Sequence, residues 1–109
     1  LHPEPLCQFE RLQLAIDGTD ECDRGLNLIK GGGGALVREK LIALAADRFV
    51  VIADETKRVE QLGAFPLPVA ILRFGAAQTL RRLTAVCASI ELRRAGEGPL
   101  ISDDGLLIA

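Results

Sequence analysis

At 109 residues, with 13 basic and 15 acidic side chains and a net charge of −2, the chain can bury one core and offers no field that would hold a polyanion. No nucleic-acid partner is expected. Hydrophobic residues at 49% exclude a disordered tail, and the longest apolar run, residues 41–46, is far below the roughly 18 to 20 residues that span a bilayer. Neither a membrane span nor a signal peptide is expected. The sequence contains no methionine, even at position 1, so we expect a portion of a longer product. Cys7, Cys22 and Cys87 are widely spaced, lack a C-x-x-C pair and have only His2 as a possible imidazole partner. They are expected to be reduced, buried thiols of a cytoplasmic protein, without a metal site or disulfide.

Residues 11–17 place Leu12, Leu14 and Ile16 at every second position, the period of a strand with one buried face. Residues 17–25 are dense in turn formers and carboxylates and predict a loop at that strand's end. A short apolar approach, residues 26–30, leads to four consecutive glycines, Gly31 to Gly34. Residues 35–46 then contain strong helix formers and no breaker, with Val37, Leu41, Leu44 and Ala45 on one stripe and Arg38 and Glu39 directed elsewhere. Residues 49–53, Phe-Val-Val-Ile-Ala, read as a central parallel strand covered on both faces. The unit is strand, glycine loop, helix, strand.

Two prolines in Phe65-Pro66-Leu67-Pro68 mark a boundary. Beyond it the pattern predicts a strand over 69–72, a helix over 78–86 and a strand over 89–94. Leu100-Ile101 and Leu106-Leu107-Ile108 flank a turn at Ser102-Asp103-Asp104-Gly105. The fold class is α/β: residues 1–65 form the second half of a Rossmann-like parallel-sheet domain, and residues 66–109 part of a smaller α+β domain. The last strand stops without a closing element. Arg81-Arg82 and Arg93-Arg94 are read as solvated faces or carboxylate partners.

Backbone amides of a glycine run can converge on an anion, because glycine accepts positive φ and permits close approach. Alone the run is a weak signal, equally suited to a flexible connector. Its neighbours strengthen it: Asp17 and Asp20 leave one strand end, Lys30 precedes the glycines, Glu39 lies a turn into the helix and Lys57 follows the next strand. The carboxyl ends of parallel strands open on one side, so these groups share a crevice. The acidic cluster Asp20, Glu21, Asp23 lacks the oxygen-ligand spacing of a calcium loop, and no metal is assigned.

The segments Asp17-Gly18-Thr19-Asp20-Glu21, residues 27–40 with their K-G-G-G-G-A-L-x-R-E-K core, and Asp54-Glu55-Thr56-Lys57 strongly resemble ribose-5-phosphate isomerase of the A type. Phe65-Pro66-Leu67-Pro68-Val69, residues 78–83 and residues 101–105 continue the likeness in order, over nearly the whole chain. The resemblance implies interconversion of ribose 5-phosphate and ribulose 5-phosphate, without metal or organic cofactor, in a homo-oligomer, expected to be a dimer. By motif Glu39 is the implied base, moving a proton between C1 and C2 through an enediolate. Such a base must sit within hydrogen-bond reach of the carbon acid. Lys30 and the amides of Gly31, Gly32 and Gly33 would stabilise charge on the sugar oxygens. Asp17 and Asp20, with Gly18 and Thr19 between them, would bind hydroxyls and assist ring opening, and Lys57 would complete the substrate contacts.

Departures are visible too. The family's earlier glycine-and-hydroxyl loop, which grips the phosphate, has no counterpart here, so we expect a middle portion about half the length of a family member. Thr19, Cys22, Ala70 and Leu106 replace residues more typical of the family. The alternative reading is a non-catalytic sugar-phosphate-binding module, such as the related sensor domains of transcriptional regulators, or a degenerate relative. Retention of Glu39 favours the enzyme, since binding alone needs no positioned base.

Overall fold

The computed structural model describes residues 3–109, so His2 lies outside it. Strand β1, Ala15–Asp17, pairs in parallel with a later strand, Phe49–Val51, Ala15 facing Phe49 and Asp17 facing Val51. Between them helix α1, Leu36–Ala45, makes the crossover, starting directly after the glycines and ending where Ala46 turns extended. This is the expected α/β unit. The loop expected over 17–25 instead carries a hairpin: β2, Glu21–Cys22, runs antiparallel to β3, Leu28–Ile29, which makes Phe49–Val51 strand β4. Asp23 closes its turn, accepting from the Asn27 amide at 2.8 Å and from its side-chain Nδ2 at 2.9 Å, while Leu26 adopts φ +61°. Turn-forming composition masked a pairing that is only two residues long on each side.

Burial departs from the period-two reading. In β1 the buried residue is Ala15, and Ile16 is 58% exposed. Strand β4 stops at Val51 rather than reaching 53, and Ile52 is 66% exposed, so neither face is covered as a central strand's would be. Helix α1 buries none of its residues, and Leu41 and Leu44 of its apolar stripe stay exposed. Helix α1 meets β1 around buried Ala15, but these larger apolar side chains stay open to solvent among the described residues, so much of the apolar pattern lacks a partner layer. Cys7 is likewise exposed rather than buried, and all three thiols are free.

In the second half β5, Ala70–Ile71, pairs antiparallel with the strand Leu107–Ile108, and the Val69 and Ala109 amides exchange bonds with each other's carbonyls. Helix α2, Ala76–Leu83, begins two residues earlier than predicted, after Gly75 in the left-handed region, and ends in turns over 84–87. Residues 89–93 form no strand, contrary to expectation. A short hairpin, β6 Arg94–Ala95 with β7 Gly98–Pro99, takes their place, and Leu107–Ile108 is β8. The Arg93 amide donates to the Ile108 carbonyl at 2.8 Å, so the chain still runs beside β8. The turn at 102–105 forms as expected: buried Ser102 accepts from the Leu106 amide through Oγ at 3.1 Å.

The fully buried side chains Ile71 and Ile108 lie in this β5–β8 pair, with Leu107 beside them and Ala15 and Ile29 buried in the first half. A Cβ on Gly34 would sit 3.7 Å from Ile108 Cδ1, which places β8 against the glycine loop. No helix is long and apolar enough to cross a membrane among the described residues.

Candidate functional site

Asp17 ends β1, Lys30 follows β3 and Glu39 sits in the first turn of α1; the parallel unit brings all three together. The Lys30 ammonium donates to Asp17 Oδ2 at 2.8 Å and to the Gly18 carbonyl at 2.6 Å. It also stands 2.9 Å from Glu39 Oε2, in a second close ion pair. Glu39 Oε2 is thus a buried oxygen beside a positive charge, with no backbone amide or hydroxyl aimed at it among the described residues. Such an acceptor retains lone-pair capacity for a proton. The Lys30 and Glu39 side chains are only 19% and 23% exposed.

Burial opposes the charge on Asp17, but the Lys30 hydrogen bond, the Gly18 amide and the Lys30 charge together hold its carboxyl below the usual range. Lys30 shows the converse. Burial works against its ammonium, and the hydrogen bonds and charges of Asp17 and Glu39 outweigh it and raise its pKa.

The glycine loop is held rather than loose. Asp20 Oδ2 accepts from the Gly32 amide at 2.7 Å, and the Gly34 amide closes a turn on the Gly31 carbonyl at 3.0 Å. Gly31 and Gly34 take φ of +92° and +96°, values that disfavour any side chain. A Cβ on Gly32 would come within 2.5 Å of Asp20 Oδ1, so the carboxylate can reach the amide only because the residue is glycine. Gly33 meets nothing within 4 Å.

Other predicted residues are placed differently. The Thr19 hydroxyl lies within reach of the Glu21 and Ile29 carbonyls at 2.7 and 2.8 Å, pinning the β2–β3 hairpin. Lys57 closes the 3-10 turn Glu55–Lys57, capped by Asp54, and its side chain joins the Lys30 cluster through no hydrogen bond or ion pair among the described residues. Lys30 and Glu39 line an open groove of about 700 Å³ with Leu36, Val37 and Phe49. A larger groove of about 1000 Å³, between residues 22–28 and β4, touches none of the Lys30 cluster, and the smaller one is the one next to the chemistry. Among the described residues no three His, Cys, Asp or Glu side chains group as a metal site would require.

Three residues take supporting roles that the sequence did not indicate. Buried Glu21 accepts from the Gly63 and Phe65 amides at 2.7 and 2.5 Å, fastening the segment before the prolines. Arg38 Nε donates to Asp104 at 2.8 Å and ties α1 to the 102–105 turn. Arg93, expected on a solvated face or against a carboxylate, instead donates to the Gly32 carbonyl at 2.9 Å. The only sequence signal for these was their charge close to motif residues.

A family model described as ribose 5-phosphate isomerase A (phosphoriboisomerase A) matches residues 3–109. The chain is 49% identical over 106 residues to "Ribose-5-phosphate isomerase A" of Rhodopseudomonas palustris (strain BisB18), covering 92% of this chain and 46% of that protein. It superposes with a TM-score of 0.86 on ribose 5-phosphate isomerase A from Neisseria gonorrhoeae, at 41% identity, covering 94% of this chain and 44% of that one. A D-ribose-5-phosphate isomerase in complex with phospho-erythronic acid gives a TM-score of 0.88 at 37% identity, covering 96% and 47%. The chain therefore spans about half the length of the relatives it matches.

Proposed function

We propose, because this chain belongs to the ribose 5-phosphate isomerase A family, that the protein interconverts D-ribose 5-phosphate and D-ribulose 5-phosphate, a step of the non-oxidative pentose phosphate pathway. The observation that carries this reading is Glu39 Oε2: buried, 2.9 Å from the Lys30 ammonium, and with no amide or hydroxyl donor aimed at it among the described residues. Binding a sugar phosphate does not by itself require a positioned base. The ligand named for one similar structure, phospho-erythronic acid, supports a sugar phosphate as the molecule bound.

In the proposed mechanism Asp17 and Asp20 bind hydroxyls and assist ring opening. Glu39 then takes the proton from C2 of the open aldose, and the C–H electron pair moves to give an enediolate with charge on O1. Lys30 and the free amides of the Gly31–Gly33 loop stabilise that charge in a preorganised, partly water-excluded setting. Glu39 returns the proton to C1, and a proton passes from O2 to O1, which completes the ketose. Two carboxylates around one ammonium leave the cluster net negative, which suits it to the hydroxyl and carbonyl end rather than the phosphate. Lys57 is assigned to the substrate's remaining contacts, with Gly18 and Thr19 shaping the Asp17–Asp20 turn.

Residues 1–65 are assigned to a Rossmann-like isomerase domain and residues 66–109 to a smaller α+β domain, in a homodimeric, cytoplasmic enzyme. The parallel β1–β4 pair and the antiparallel β5–β8 pair support that division. The test is a ribose 5-phosphate isomerisation assay on the intact protein. Turnover should fall about 10²- to 10⁴-fold in Glu39→Gln, the usual worth of a positioned base, with ribose 5-phosphate binding retained. Binding without isomerisation by the parent protein would favour the sensor reading.

A further inference from the structure

Backbone amides stabilise developing charge only when they are aimed at it beforehand. Two contacts act on successive peptide units: Asp20 Oδ2 accepts from the Gly32 N–H at 2.7 Å, and the Arg93 guanidinium donates to the Gly32 carbonyl at 2.9 Å. That carbonyl belongs to the Gly32–Gly33 peptide. The peptide is trans, so its C=O and N–H point in opposite directions. Fixing the carbonyl toward Arg93 therefore fixes the Gly33 N–H on the opposite side, where it has no acceptor among the described residues and a side chain at Gly33 would meet none of them within 4 Å.

Arg93 is well placed to impose this. Its own amide donates to the Ile108 carbonyl at 2.8 Å, and its carbonyl accepts from Leu100 at 2.7 Å, so its backbone is bound to β8 on one side and to the residue after β7 on the other. Ile108 is fully buried and lies against Gly34. A run of four glycines has more backbone freedom than any other tetrapeptide, and an unheld peptide plane in it would rotate. A planar, permanently charged donor whose own backbone is hydrogen-bonded on both sides removes that freedom at one point.

We propose that Arg93 is a positioning residue: by holding the Gly32 carbonyl it orients the Gly33 amide toward the charge that develops on the substrate. It touches no substrate atom itself. The inference rests on the isomerase reading above and adds a residue from the second half of the chain to a site otherwise built from the first.

The test measures ribose 5-phosphate isomerisation by the intact protein, comparing Arg93→Met, Arg93→Lys, Glu39→Gln and Arg38→Met. Arg38 bridges α1 to the 102–105 turn and makes no hydrogen bond to the glycine loop among the described residues, so its variant reports a structural loss. Losing the orientation of one amide donor should lower kcat about tenfold, part of the 10²- to 10³-fold that deleting such a donor costs, with KM changed less than twofold. Arg38→Met should lower the melting temperature with kcat within twofold. A kcat for Arg93→Met within fivefold of the parent, or one matched by Arg38→Met, overturns the proposal. If Arg93→Met does not fold, Arg93→Lys decides by the same fivefold threshold, since one flexible ammonium does not reproduce the planar fork. An inactive parent protein would instead overturn the isomerase reading, and active Arg93 variants beside an inactive Glu39→Gln would overturn the Arg93 proposal alone.

Discussion

Lys30 bonds to Asp17 and faces Glu39, so its replacement changes both carboxylates at once. The pH dependence follows from the two shifts. Asp17, lowered on folding, adds stability above its ordinary value of about 3.9 and loses it as pH falls through the lowered value. Lys30, raised on folding, adds stability below about 10.4 and loses it as pH rises through the raised value. Urea unfolding followed against pH should therefore show a plateau between about pH 4 and 10, and Lys30→Met should flatten both flanks. The change should stay near 1 kcal/mol, because Asp17 is 35% exposed and solvent screens the pair. Unaltered flanks in the variant would show that the pair does not govern them.

At the scale of elements, the glycine loop was legible because its chemistry is local: a lysine, four glycines and a helix start within ten residues. Its constraints grade sharply by position. Gly31→Ala would force φ +92° on a side chain and bring Cβ within 2.5 Å of Leu36 Cβ, a cost of about 2 kcal/mol or more. Gly32→Ala would push Asp20 off the loop and lower turnover as well as stability, whereas Gly33→Ala should change stability by less than about 0.5 kcal/mol. Thermal or urea unfolding of the three variants checks this order, and equal losses at all three would contradict it. The long-range clamps were not legible. Arg93 reaches Gly32 across 61 positions and Glu21 reaches Gly63 across 42, separations that no local pattern encodes. The β2–β3 hairpin escaped notice for the opposite reason: its turn is so dense in Asp, Gly and Asn that the strands read as part of the loop.

For the whole molecule, the α/β class and the order strand, loop, helix, strand followed from periodicity, while burial did not. Periodicity says which side chains share a face, not whether another layer covers it. Here Ile52 at 66%, Leu44 at 71% and Phe74 at 97% exposure leave apolar surface open on both halves. Surfaces of this kind drive association. The 109-residue chain alone should sediment as a concentration-dependent mixture, and a single monomer species from micromolar to hundreds of micromolar would contradict that expectation. Proton transfer by Glu39 would leave an isotopic trace on carbon. With ribose 5-phosphate in deuterated water, the intact protein should place deuterium on C1 of the product ribulose 5-phosphate, and Glu39→Gln should bind the sugar yet leave its carbon-bound hydrogens untouched. Incorporation by Glu39→Gln at the parent's rate would mean that a different group carries the proton.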